Sequence, residues 1–184
     1  MIDERLVEII NKGEGFVAII AGSGSDDKAK GDKPSHIGQI VESIDAFKIP
    51  YGVHICSAHK QPTEAEELIE HYNGFQQPIL LVAVAGGTDA LSGTLSWASY
   101  HPVVSCPPDA LNDTCLRNPP GSCNAYIQRP ANIGKYAAQM FSHCNESCRQ
   151  KLETQIEAKK ASLIEDDENV SKKYLDKLLG GKNE

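Results

Sequence analysis

Short, almost wholly apolar runs punctuate the chain, and between them apolar residues recur every three or four positions. Residues 16–22 (FVAIIAG) carry no charge and end in glycine, the pattern of a strand buried on both faces, as in a parallel sheet. Residues 78–87 (PILLVAVAGG) repeat it, and 51–57 (YGVHICS) and 102–106 (PVVSC) read as two more strands. Residues 124–128 (NAYIQ) make a weaker fifth. Between these runs the period lengthens. Residues 3–11 put Leu6, Ile9 and Ile10 at helical spacing before Gly13 and Gly15 break it. Residues 35–48 line up Ile37, Ile40, Val41, Ile44 and Phe47 on one helical face. Pro62 opens a third helix with acids in its first turns, which suits the helix dipole. Residues 88–99 and 132–144 read as two more helices.

Strands alternating with helices predict an α/β fold with a parallel sheet covered on both faces. In such sheets ligands bind beyond the carboxyl ends of the strands. The loops rich in glycine, serine and charge fall there: GSGSD after the first strand, SAHK after the second, AGGTD after the third and CPPD after the fourth. From about residue 145 the character changes. Cys148, Leu152, Ile156, Leu163, Val170, Tyr174 and Leu178 recur at steps of four or seven in a charged background. Residues 1–144 are therefore expected to form the α/β domain and 145–184 a C-terminal helical extension, docked on its own domain or reaching across a neighbouring subunit.

Composition narrows the partners. A formal net charge of −7 disfavours nucleic acid and anionic membranes as bulk electrostatic partners. A phosphate can still be held by local N–H groups. The acidic N-terminus is unlike a signal peptide, and no run reaches the roughly 18 apolar residues of a membrane span. A cytoplasmic protein with six free thiols is expected. Cys144 and Cys148 lie one helical turn apart beside His143, but no CxxC knuckle accompanies them, so no metal is expected.

The candidate chemistry gathers in three loops. Gly22, Ser23, Ser25 and Asp26 offer close backbone approach, hydroxyls for phosphate oxygens and a carboxylate for ribose hydroxyls. The loop is neither a dinucleotide fingerprint nor a Walker loop, and on composition alone a plain turn fits it equally. Ser57, His59 and Lys60 end the second strand, and histidine exchanges protons near neutral pH. A capping histidine is the plainer reading of His59 alone; three loops at one sheet edge favour the chemical one. Ala85, Gly86 and Gly87, with Ser92 just beyond, leave room for a flat ligand against backbone, or mark a close strand–helix turn.

Taken in order, GSGSD, SAHK, VAVAGGTDALSG, PVVSCPP and LRNPPGS over roughly residues 15–144 resemble the aminoimidazole ribonucleotide (AIR) carboxylase family. Lys60, SCPP, LR-x-P-x-G and the IEDD of the extension look like its class II, whose members take carbon dioxide directly; class I members rearrange the N-carboxylated ribonucleotide. Gly87 stands where class II usually has arginine, Asp89 where asparagine is usual, and residues 107–117 look short. The resemblance implies a three-layer α/β/α sandwich on a flavodoxin-like parallel sheet, a homo-oligomer, usually an octamer, with AIR and carbon dioxide as substrates and no cofactor. It casts His59 as the acid–base residue at the ring carbon C4, with Ser57 and Lys60 steadying the carboxylate. Ser23, Ser25 and Asp26 hold the ribose phosphate; Gly86 and Gly87 make room for the ring. Three rivals remain at this point: the class I mutase reaction, a ribonucleotide-binding module without turnover, and an FMN-binding flavodoxin-like protein.

Overall fold

The computed structural model describes residues 2–29, 31, 34–109 and 111–180. Lys30, Asp32 and Lys33 of the loop after the first strand, Ala110 of the 107–117 stretch, and the ends of the expected domain and extension (residue 1 and residues 181–184) lie outside the described residues.

Among the described residues five parallel strands form one sheet: β1 (Phe16–Ala21), β2 (Tyr51–Ile55), β3 (Ile79–Val84), β4 (Val103–Ser105) and β5 (Ala125–Tyr126). Their order is β2-β1-β3-β4-β5, the flavodoxin-like doubly wound order. Among the described residues the six α-helices are α1 (Glu4–Lys12), α2 (His36–Asp45), α3 (Pro62–Asn73), α4 (Leu91–Ala98), α5 (Ile133–Phe141) and α6 (Glu146–Leu178).

β1 and β3 are buried at every position, as their unbroken apolar runs require. β2 is an edge strand instead, and leaves Val53 and Ile55 exposed. Alternate residues of β1 serve opposite faces. Phe16, Ala18 and Ile20 join the cluster made with Ile10, Ile69 and Leu95 of α1, α3 and α4. On the other face α2 packs on α5. That contact is close enough that a Cβ at Gly134 would run into the Ser43 carbonyl.

Local signals set the helix ends. Asp3 caps α1 through Arg5 N, Ser35 caps α2 through Gly38 N at 2.9 Å, and Pro62 sits in the first turn of α3 without costing a hydrogen bond. The residues expected to be helical from 88 form a helix only from Leu91, because Gly87 to Ala90 make a turn bound to the segment after β4.

By internal packing the chain divides into two units, Met1–Arg149 and Gln150–Glu184. The stripe in the second unit lies on one continuous 33-residue helix, α6, where Ile156, Leu163, Val170 and Tyr174 are exposed. Among the described residues no helix is long and apolar enough to cross a membrane.

Candidate active site

The strand order decides which loops meet. β1 lies between β2 and β3, so its carboxyl-end loop is flanked by theirs. The chain winds outward in opposite directions from β1 and β3, and the crevice opens at that switch point. There the structure holds a cleft of about 250 Å³. From the first loop it is lined by Gly22, Ser23, Ser25 and Asp26, from the second by Ser57 and His59, and from the third by Ala85 and Gly86. Ala58 of the SAHK loop and Thr88, Ala90 and Leu91 of the GGTDAL segment complete the wall.

The first loop turns sharply into a 3₁₀ helix, Gly24–Asp27. Gly22 N–H extends the ladder to Val84 O at 2.9 Å. Ser23 Oγ accepts Ser25 N–H at 3.2 Å and Ser25 O–H at 2.8 Å, which leaves its own proton for a further acceptor. Asp26 Oδ2 is buried without a hydrogen-bond partner among the described residues. Burial pushes the Asp26 carboxyl above its ordinary pKa; Asp109 adds to this, while a backbone hydrogen bond at Ser23 and the charge of His36 oppose it. An orphaned carboxylate oxygen at the rim of a cleft is an acceptor waiting for a hydroxyl or N–H.

The second loop closes as a turn, with Ser57 O accepting Lys60 N–H at 3.1 Å and Gln61 N–H at 2.7 Å. His59 and Lys60 are both exposed. His59 faces the cleft, whereas Lys60 does not line it.

The third loop separates the remaining candidates. Gly87 adopts φ +67°, a left-handed backbone that suits glycine, and stands outside the cleft wall. Asp89 turns inward: it is buried, Oδ1 accepts Ser92 N–H at 2.9 Å and Oδ2 accepts Ser105 O–H at 3.0 Å. It thereby satisfies an orphan N–H at the start of α4. Ser92 is fully buried beneath that turn and does not line the cleft.

Two polar residues not singled out in the sequence stand at the same sheet edge. His36, the first residue of α2, lies 2.9 Å from Cys106 O through Nε2; a carbonyl only accepts, so Nε2 carries the proton. Burial lowers its pKa, while Asp26 and Asp109 pull it back up. His36 and Asp109 line a hollow of about 580 Å³ that shares Ser25, Asp26 and Gly86 with the cleft. The Ser35 cap was the available signal for His36: it fixes the entry of α2 beside the first loop. A further groove of about 460 Å³ runs along β2 and α3, but Glu64, Glu67 and Glu70 line it and would repel an anionic ligand.

Residues 16–162 match the model of the family described as AIR carboxylase. A phosphoribosylaminoimidazole carboxylase of Treponema denticola is 27% identical over 163 residues, covering 85% of this chain and 98% of that one. The crystal structure of Treponema denticola PurE superposes with a TM-score of 0.75 at 28% identity, covering 84% of this chain and 98% of that one. An N5-carboxyaminoimidazole ribonucleotide mutase of Methanocaldococcus jannaschii is 25% identical, covering 86% of this chain and 99% of that one.

Proposed function

This chain belongs to the AIR carboxylase family, and from that premise we propose that it carboxylates aminoimidazole ribonucleotide at C4 with carbon dioxide, a step of purine biosynthesis. The observation that carries the reading is the cleft itself. Three loops from different strands put hydroxyls, an unpartnered carboxylate oxygen and an imidazole around one space.

The chemistry suits those groups. The aminoimidazole ring is enamine-like and nucleophilic at C4. Its electron pair forms the new carbon–carbon bond to carbon dioxide, and one C–O π pair moves onto oxygen to give a carboxylate. C4 is then tetrahedral and must lose its proton to restore aromaticity. His59, the cleft's imidazole, takes that proton and passes it to solvent. Ser57 donates to the growing carboxylate, and the Lys60 ammonium, one residue beyond the cleft, supplies a favourable field. Ser23 and Ser25 bind phosphate oxygens, and Asp26 Oδ2 accepts from a ribose hydroxyl. Gly86 and the turn at Gly87 keep the wall beside the ring free of side chains. Gly22 and Ala85 shape the cleft, while Ser92 contributes from below by fixing α4.

The same reading has the chain acting in the cytoplasm as a homo-oligomer, as an octamer, with residues 145–184 as a helical extension of the domain. The exposed position of His59 favours it, since a neighbouring subunit can close the cleft and exclude water.

The mutase is the second reading. Gly87 in place of the class II arginine favours it, as does the resemblance to the Methanocaldococcus jannaschii mutase. There the carbamate releases carbon dioxide inside the cleft and C4 recaptures it. The test supplies each substrate alone: AIR with bicarbonate, and the preformed carbamate with free carbon dioxide scavenged. Direct carboxylation requires turnover in the first arm and little in the second. Efficient use of the carbamate with little rate from bicarbonate makes the chain a mutase.

A further inference from the structure

The third loop is held from outside the cleft. Gly87 N–H donates to Asp109 Oδ2 at 2.8 Å, and Gly87 O accepts from Asn112 Nδ2 at 2.8 Å. The Asn112 amide also donates to both Asp109 oxygens, at 2.9 and 3.1 Å, so the two side chains brace each other. Thr114 Oγ1 lies 2.6 Å from Asn112 Oδ1 and 3.2 Å from Gly87 O, and it accepts Asp89 N–H at 3.1 Å. One glycine thus has both backbone polar groups taken by side chains that lie more than twenty residues onward.

An exposed loop has no need of such partners, since water satisfies its N–H and C=O groups equally well. The pinning matters because glycine loses more conformational freedom on ordering than any other residue. Gly86 and Gly87 are adjacent, exposed and, at Gly87, left-handed. Without outside bonds this segment samples many shapes, and Gly86 lines the cleft. Asp109 also backs Gly86 directly: a Cβ there would meet its Oδ1 at 3.4 Å and Pro108 at 3.5 Å. Burial works against the charge on Asp109, but the bonds from Gly87 N–H and the Asn112 amide outweigh it and hold the carboxyl below its ordinary pKa. The brace is therefore charge-assisted at neutral pH.

We propose that Asp109, Asn112 and Thr114 are positioning residues, which hold the Gly86–Gly87 turn in the shape that sets the ribonucleotide ring against carbon dioxide. The inference rests on the cleft's being the ribonucleotide site, as argued above. It assigns to the segment after β4 control over a reaction that its side chains do not touch.

The test combines a readout of the turn with readouts of the reaction. In Asp109→Ala, hydrogen–deuterium exchange across residues 85–91 is expected to rise at least about tenfold while Tm moves little, because only a local opening is eased. Turnover of AIR with bicarbonate should lose about a hundredfold in kcat/KM, carried more by kcat than by KM, because the ring still binds but is misplaced by a fraction of an ångström. Asp109→Asn and Asn112→Asp each set like groups face to face. Both variants should lose kcat with KM nearly held, as Asp109→Ala does. Thr114→Val, read the same way, serves if Asp109→Ala fails to fold. Faster exchange with unchanged kcat and KM overturns the inference and leaves the functional reading standing, as does exchange unchanged from wild type. Wild-type protein that neither binds nor converts AIR sinks the functional reading, and the substrate role of the turn with it, whatever the exchange data show.

Discussion

Replacing Asp26 with alanine should make the unliganded protein more stable and the ribonucleotide bind less well. Among the described residues Asp26 Oδ2 is buried with no hydrogen-bond partner, and burial raises the carboxyl's pKa. A buried polar atom left unpaired costs about 1–3 kcal/mol, and the side chain is only partly buried, so the lower end, about 1 kcal/mol, applies. In a chain of this size that corresponds to a rise in Tm of about 2–4 °C. The pH dependence has a definite sign. The folded-state pKa lies above the unfolded value, so between the two the folded protein holds more protons than the unfolded chain. Stability therefore falls as pH rises through that window, and the penalty is complete above the folded pKa. The advantage of Asp26→Ala should be full above the folded pKa and shrink as pH falls toward the unfolded carboxylate value of about 3.9. Binding moves the other way. A ribose hydroxyl deprived of a charged acceptor loses about 1.5–3 kcal/mol, which is roughly a ten- to 150-fold weaker Kd. Scanning calorimetry from pH 4 to 8 and titration calorimetry with AIR measure both halves. A variant no more stable than wild type at pH 7, with unaltered affinity, would refute the reasoning.

Other residues give equally direct outcomes. His59→Asn should abolish carboxylation yet keep AIR affinity within about tenfold, because the C4 proton moves only during chemistry; near-normal turnover removes His59 from the mechanism. Gly134→Ala should destabilise the fold by about 1–3 kcal/mol, since the new Cβ meets the Ser43 carbonyl across the α2–α5 contact; an unchanged denaturation midpoint contradicts that close approach. Deleting residues 146–184 should change the assembly's mass or sharply lower solubility, because the stripe of Ile156, Leu163, Val170 and Tyr174, exposed on a single chain, needs an apolar partner surface that the deletion would bare; light scattering that finds neither defeats an arm between subunits.

Much of this molecule is determined by sequence alone, because the signals are local. Phe16–Ala21 and Ile79–Val84 are apolar throughout, and only a strand covered on both faces accommodates such runs at that length. Alternation with amphipathic helices then dictates a parallel sheet and puts GSGSD, SAHK and AGGT at one edge of it. Tertiary structure alone decided which loops share a cleft, since the order β2-β1-β3 depends on how the helices pack rather than on any single segment. It also decided which way polar side chains turn. Asp89 and Ser92 follow the same glycines as the cleft wall, yet both point inward, because the N-terminal N–H groups of α4 and the hydroxyl of Ser105 must be satisfied where no water reaches. Likewise the Ser35 cap beside His36 and the CPPD loop that holds Asp109 give the position of each in the chain but not what its side chain meets. The two residues reach the site only because β4 lies beside β3 and α2 lies over the sheet edge, which brings a carboxylate 22 residues away to Gly87 and an imidazole 70 residues away to Cys106.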